Sequence, residues 1–421
     1  MNTIDSESQE QFHVSSVRYF PEEWDNKTLL DAVGMKKDLI VAGPFGSNLK
    51  VSDYKDEGIP IIRLQNIDYG KFIDKEIKYI SHEKARELAY HSFRAGDLVL
   101  AKLGDPIGKT CIVPDYFKDG IVVADVVRVR VADGLVDKKF IMYSLNSVAT
   151  KNQLINGTIG STRPRVNLDQ IRDIQILVPP LNEQRKIAAI LSSVDAAIEQ
   201  TDAIIAQTER MKTGLMQELF AKKFDIAKLG DCSFKPEYGY TTSAIFQPVG
   251  PKFIRITDLK DDGVDWASVP HCTCDEYVLK KYLLKPGDII FARIGATTGK
   301  NYLIKENINC IFASYLIRIR CKDMLLPDFL YQFLKTSAYW NQINANKSGR
   351  LKEGINIPLL NGILIPLPSI QEQKKISLIL SSIDERLDGE KKYRERLKKL
   401  KLGLMQDLLN GRVRVKVDGN V

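Results

Sequence analysis

The chain is 421 residues long, with 61 Lys/Arg against 53 Asp/Glu (net charge +8) and a hydrophobic fraction of 44%. That is the size and composition of two to four folded domains, which excludes a wholly disordered or fibrous protein. No run of about 18 apolar residues is present, which excludes a membrane-spanning helix. The polar, acidic start MNTIDSESQEQFHVSS is the opposite of a signal peptide, so residues 1–18 read as a disordered leader.

Residues 19–178 read as a first globular unit. IPIIRLQNI (59–67), DLVLAKL (97–103) and IVVADVVRVRV (121–131) are β-branched runs bounded by Gly, Pro or Asp and predict strands. FIMYSLNSVATKNQLI (140–155) predicts a helix, and Gly160-Ser161-Thr162 breaks the chain before a strand ending at Pro179. A long helix is expected over 179–223. Its seam alternates steps of four and three through Ile187, Leu191, Val194, Ile198, Thr201, Ile205, Thr208, Leu215 and Leu219, with Lys212 its one interruption. Residues 224–367 then repeat the first unit, with strands at 252–259, 288–294 and 310–320 and a helix at 329–343. A second helix is expected over 368–412, on Ile376, Leu380, Ile383 and Leu387 and then a shifted set of Tyr393, Leu397, Leu400, Leu404 and Leu408. That shift predicts a stutter. Residues 413–421 form a tail.

The repetition is explicit. PPLNEQRKIAAILSSVD…GLMQELF (179–220) recurs as PSIQEQKKISLILSSID…GLMQDLL (368–409) at a constant offset of 189. Gly96-Asp97, Gly104 and Gly108-Lys109 recur as Gly287-Asp288, Gly295 and Gly299-Lys300, and Ile62-Arg63, Arg128/Arg130 and Asn167 recur as Ile254-Arg255, Arg318/Arg320 and Asn356. The expected fold is α+β: two pseudo-symmetric globular domains, each followed by a long helix, the two helices pairing as an antiparallel coiled coil. Such a chain suits a two-fold or bipartite ligand.

Enzymatic signatures are missing. GDPIGKT (104–110) has three residues between its glycines where a P-loop has four, and its repeat GATTGKN (295–301) lacks the Ser/Thr that would hold magnesium; a strand–turn–strand hairpin is the better reading. None of the four histidines is matched across the repeat, and no GxSxG, HExxH or GxGxxG occurs. What recurs is Arg, Lys, Gly and Asn, which suits binding rather than bond-breaking. His271-Cys272-Thr273-Cys274 lacks zinc spacing, so no metal site is expected, and the six cysteines are too sparse for a disulfide framework, which favours a reducing cytoplasm. Glycine-rich turns expose backbone N–H groups, Lys/Arg neutralise phosphates, and Arg and Asn read base edges. The candidate DNA contacts are Ser47, Asn48, Lys50, Tyr54, Arg63, Lys102, Lys109, Ser161, Thr162, Arg163 and Arg165 in the first unit. In the second they are Tyr240, Thr241, Thr242, Arg255, Arg293, Lys300, Ser348, Arg350 and Lys352. The matching helix ends Glu183, Gln184, Lys186, Met216 and Gln217, and Glu372, Gln373, Lys375, Met405 and Gln406, are candidate docking surfaces for two copies of one partner.

The segments GPFGS…GIPIIR…NI, AGDLV…G…GK, GSTRP…NL, ILVPPLNEQRKIAAILSSVD and GLMQELF together resemble the specificity subunit of Type I restriction–modification systems, from about Tyr19 to Arg412. The resemblance implies two target-recognition domains, each reading half of a bipartite, asymmetric site in double-stranded DNA. The helices would space these domains and dock two methyltransferase subunits and two restriction subunits. S-adenosylmethionine, ATP and Mg2+ would belong to those partners, with no catalysis and no cofactor in this chain, in a prokaryotic cytoplasm. The second unit lacks GPFGS and a Thr-Arg-Pro turn, so the half-sites should differ. The rival readings are a DNA-modifying enzyme and a coiled-coil scaffold that never touches nucleic acid.

Overall fold

The computed structural model describes residues 12–15, 18–157, 164–260, 263–347 and 354–416. The chain divides into two compact units, Met1–Thr201 with Tyr393–Val421, and Asp202–Lys392. Each unit is therefore a globular part closed by segments of both long helices.

In the first unit a four-stranded antiparallel sheet runs Thr110–Ile112, Leu98–Ala101, Val126–Val129, Ile40–Ala42. A second sheet runs Lys78–Ile80, Ile59–Ile62, Gly120–Val122, Ser92–Phe93, and its central pair is parallel. Side chains alternate across a strand, and the sequence uses both faces. Leu98, Leu100, Val127 and Val129 pack on Phe140 and Ile141 of the helix Lys138–Leu145, while Val99 and Val126 join Ile62, Phe93 and Val122 of the second sheet. The second unit repeats this with the sheet Glu237–Tyr238, Leu316–Ile319, Ile289–Ala292, Asn301–Leu303 and the parallel pair Lys252–Ile254 with Cys310–Phe312. The hairpin expected around GDPIGKT is present: Leu98–Ala101 pairs antiparallel with Thr110–Ile112.

Two expected elements in each unit are broken. The run 121–131 is two strands belonging to different sheets, with a corner at Val123–Asp125 closed by Val126 N donating to Val123 O at 2.9 Å. The run 310–320 turns the same way at Ala313–Tyr315, where Leu316 N donates to Ala313 O at 2.8 Å. Every residue of these strands is buried, so the apolar pattern runs up to the corner from both sides and only Asp125 and Ser314-Tyr315 mark it. The helix expected at 140–155 is Lys138–Leu145 followed by Val148–Asn156. Ser147 divides them, because its hydroxyl accepts from Thr150 N at 3.2 Å and caps the second piece. In the second unit the division gives Pro327–Phe333 and Ser337–Lys347.

The long helices span Leu181–Phe220 and Ile370–Leu408. They pack antiparallel, as pairs within each unit establish: Asp195 with Lys401 in the first, and Glu209 with Lys391, Lys212 with Asp384 and Lys222 with Glu372 in the second. As numbers rise along one helix they fall along the other. The stutter expected in the second helix is absent. Tyr393 and Leu400 are half-exposed at 50% and 51%, whereas Leu397 and Leu408 are buried and Glu390, Arg394, Lys401 and Leu404 are partly buried. The seam runs 376, 380, 383, 387, 390, 394, 397, 401, 404, 408 without a break, with polar residues at three of its steps. Lys212, the interruption in the first helix, is the repeat equivalent of Lys401. Both lysines are tolerated in the seam because each is paired with an aspartate of the other helix.

The helices are rooted in their globular parts. Ile187, Leu191, Leu408 and Leu409 are buried in the main core of the first unit, and Leu219, Ile376 and Leu380 in that of the second. Each such side chain contributes about 1.5–3 kcal/mol by leaving water. Beyond the second helix, Arg414 donates to Glu183 at 2.8 and 3.0 Å and to Glu23 at 2.8 Å, while Trp24 Nε1 donates to Glu183 at 3.1 Å. These two carboxylates hold the Arg414 guanidinium well above its ordinary pKa.

Candidate nucleic-acid interface

The corner of each unit gathers the segments that carry most of the described candidate residues. In the first unit, Val123 N donates to Ile62 O at 3.1 Å, Lys102 N to Asp125 O at 3.0 Å, Val166 N to Lys102 O at 3.1 Å and Gly43 N to Val126 O at 3.0 Å. The equivalents in the second unit are Ala313 N to Ile254 O at 3.0 Å, Arg293 N to Tyr315 O at 3.1 Å, Ile355 N to Arg293 O at 2.7 Å and Gly239 N to Leu316 O at 3.2 Å. Lys102 therefore corresponds to Arg293, Asp125 to Tyr315, and Gly43 to Gly239. The glycines are steric requirements. A Cβ on Gly43 would lie 2.1 Å from Val123 O, and one on Gly239 would lie 2.2 Å from Ala313 O. Their loops then run outward and carry Phe45 and Phe246, 82% and 80% exposed.

The candidates fare differently at this corner. Ser47, Asn48 and Lys50 stand exposed on the loop after Gly43, and Tyr54 is half-buried against the cluster of Leu49, Ile61 and Ile121. Arg63 donates to the Glu76 carbonyl. Arg255 is held by both oxygens of Asp258, at 3.1 and 2.9 Å, and lies 5.9 Å from the Phe246 ring; it braces its own turn. Lys109 pairs with Asp68 at 2.9 Å beneath Tyr69. Burial raises the Asp68 carboxyl, but the hydrogen bond and charge of Lys109 leave it below its ordinary value. Arg165 is exposed and pairs with Asp125 at 2.8 Å. Lys102 is partly buried, and burial lowers its pKa, with Asp125 opposing and Arg165 adding to the effect. Arg293 lies over the Tyr238 ring at 4.7 Å. Tyr240 packs on Tyr282 at 5.6 Å, Thr241 is exposed and Thr242 half-buried, and Lys300 is half-buried. Ser161, Thr162, Arg163, Ser348, Arg350 and Lys352 lie outside the described residues.

Asp125, Tyr238, Tyr315, Phe45 and Phe246 were not among the expected contacts. Asp125 and Tyr315 could have been found by aligning Ala124-Asp125 with Ser314-Tyr315, whereas the stacking of Tyr238 on Arg293 has no local signature.

The docking candidates also divide. Gln184 and Gln373 are buried at 1% and 0% and stitch their own units. Asp137 N donates to Gln184 Oε1 at 2.8 Å and Leu326 N to Gln373 Oε1 at 2.8 Å, and each amide donates back to a carbonyl at the helix entrance, Pro179 at 2.7 Å and Pro368 at 2.9 Å. Glu183 is buried in the Arg414 cluster. The repeat of Glu-Gln at the helix starts is thus explained by internal packing for these three, a correction to their reading as docking residues. Met216 and Met405 are partly buried against their cores, and Glu372 is half-buried and salt-bridged to Lys222. Lys186, Lys375, Gln217 and Gln406 are exposed. Among the described residues no group of three potential metal ligands occurs, and no helix is long and apolar enough to cross a membrane.

Residues 21–210 and 253–399 match the family described as Type I restriction modification DNA specificity domain. The chain is 27% identical to the Type I restriction enzyme MjaVIII specificity subunit of Methanocaldococcus jannaschii, over 71% of this chain and 76% of that protein. It is 23% identical to the putative type I restriction enzyme MjaX specificity subunit of the same organism, over 97% and 98%. Its fold is similar to that of the S subunit of a Type-I restriction-modification system from M. genitalium, with a TM-score of 0.60 at 16% identity, covering 96% of this chain and 99% of that one.

Proposed function

The chain belongs to the family of Type I restriction–modification DNA specificity domains, and from that premise we propose that it reads a bipartite, asymmetric sequence in double-stranded DNA without itself catalysing a change in it. The observation that carries this reading is the duplicated corner: equivalent backbone hydrogen bonds seat Lys102 in one unit and Arg293 in the other. The scaffold is repeated while the side chains on it differ, Asp125 against Tyr315 and Lys102 against Arg293. One scaffold with two chemistries suits two unlike half-sites. Exposed Ser47, Asn48 and Lys50 suit the phosphates, which position a protein on a duplex without specifying sequence.

The partners in this reading are two methyltransferase subunits and two restriction subunits in a prokaryotic cytoplasm. S-adenosylmethionine, ATP and Mg2+ are theirs. The exposed Lys186 and Lys375, at equivalent places on the two helices, offer a surface to two copies of one partner. Methylation-sensitive sequencing of DNA from cells expressing this chain with its methyltransferase tests the proposal. A single split motif with unlike halves is expected; methylation with no shared motif would overturn it. Exchanging residues 20–178 for the matching part of a relative should change one half only, and a simultaneous change in both would exclude independent reading.

A further inference from the structure

Five arginines of the described residues bury Nε without a hydrogen-bond partner: Arg63, Arg128, Arg172, Arg293 and Arg318. In four of them the terminal nitrogens compensate. Arg63 donates to the Glu76 carbonyl, Arg128 to that of Asp38, Arg172 to Asp169 and two carbonyls, and Arg318 to Glu237 and two carbonyls. Arg293 is the exception: among the described residues its guanidinium takes neither a carbonyl nor a carboxylate and rests only on the Tyr238 ring. Its backbone is nonetheless fixed, since its own N–H and carbonyl are both bonded, to Tyr315 and Ile355, and the Tyr238 ring orients the guanidinium. Lys102, its equivalent, is likewise bonded through N–H and carbonyl, and is partly buried with no ion pair among the described residues. A cation taken partly out of water without an acceptor is destabilising unless a ligand completes it.

The repeated corner thus holds the backbone of a cation at the same point in both units, and among the described residues neither side chain has an ion pair, with Arg293 Nε also buried without a hydrogen-bond partner. A phosphate contact does not need this, because a flexible, exposed lysine reaches a phosphate equally well. A base edge does, since a bidentate bond is made only by a rigidly placed donor. We propose that Lys102 and Arg293 are the base-reading cations of the two half-sites, each taking the N7 and O6 acceptors of one guanine in the major groove. The proposal rests on the reading of this chain as a DNA specificity subunit.

The test uses the full chain with its methyltransferase subunits and a duplex bearing the motif found by methylation sequencing. Each guanine of the motif is replaced in turn by 7-deazaguanine, which lacks the N7 acceptor. One guanine in each half-site should prove sensitive, with binding weakened roughly 5- to 150-fold. Arg293→Gln should abolish sensitivity at its own guanine and leave the other intact, and Lys102→Gln should do the reverse. Arg293→Lys, which keeps the charge, should restore part of the sensitivity. Two results would overturn the proposal: a variant that stays sensitive at every guanine, or one whose loss is uniform across sequences and accompanied by a salt slope reduced by about one, the mark of a phosphate contact. If the wild-type complex has no motif and no salt-dependent binding, the functional reading itself has failed.

Discussion

Lys401 Nζ lies 2.6 Å from Asp195 Oδ1, and the equivalent residues in the other unit, Lys212 and Asp384, are paired with the helices exchanged. In the first unit the second helix gives the lysine and the first the aspartate; in the second unit these roles reverse. That exchange is the reciprocity of a contact between two equivalent helices, in which residue i of one meets residue j of the other and j meets i. Each aspartate is also the hinge to its own globular part. Asp195 accepts from Tyr143 at 2.8 Å, and Asp384 from Gln332 at 3.0 Å and Lys335 at 2.9 Å.

Asp384 makes the second unit acid-sensitive. Burial raises its carboxyl, but the Lys335 charge and the hydrogen bonds of Gln332, Lys212 and Lys335 outweigh it and bring the pKa down from 3.8 to about 2. A depressed carboxylate stabilises the fold fully above its unfolded value and loses that contribution as pH falls through the folded one. Roughly 2 kcal/mol should therefore disappear between about pH 4 and pH 2. Asp384→Asn should remove this acid-dependent step and lower stability near neutrality by about 1–3 kcal/mol, because Lys212 and Lys335 are left uncompensated. Thermal unfolding of the wild type and variant across that pH range checks both.

Gln373 closes a buried bracket of three bonds, from Leu326 N and to the Met324 and Pro368 carbonyls. Gln373→Ala should cost about 2–4 kcal/mol, since buried backbone groups lose their partners. Lys375→Ala, two residues on and exposed, should change stability by less than about 0.5 kcal/mol while weakening assembly with the methyltransferase. Denaturation and co-purification separate the two effects, and unaltered assembly of a Lys186→Ala, Lys375→Ala double variant would remove this surface from docking.

Gly43→Ala places a methyl group against the Val123 carbonyl and should destabilise the first unit by about 1–3 kcal/mol. Gly46→Ala, where an added Cβ meets nothing within 4 Å, should be tolerated. The measurement is the melting temperature of each variant beside its affinity for DNA. Equal behaviour of the two would mean that the loop is not anchored at Gly43.

The helices are expected to set the spacer of the split motif. One turn of four residues adds about 5.4 Å, between one and two base-pair steps of about 3.4 Å. The insertion belongs after Thr201 and after Lys392 together, since Asp195–Lys401 and Lys212–Asp384 fix the helix register in the two units separately. Methylation sequencing of the double-insertion variant should return both half-sites with a longer spacer; an unchanged spacer would exclude a ruler.

The sequence by itself determined the duplication, the heptad seam of the first helix and the strand-rich units. Those signals are local: a period of 3.5 or 2 and a constant offset are written along the chain. Tertiary structure decided what depends on distant partners. It bent the runs 121–131 and 310–320 into two sheets each, a bend hard to read from the sequence because the strands on both sides of Asp125 and of Ser314 are buried throughout. It kept Glu390, Arg394 and Lys401 in an unbroken seam, in the case of Lys401 because an aspartate on the opposite helix neutralises it. It turned Glu183, Gln184 and Gln373 inward, and it spent Lys109 on Asp68. Which cations remain for a ligand is a matter of what each has already bonded, and those bonds join residues far apart in the chain.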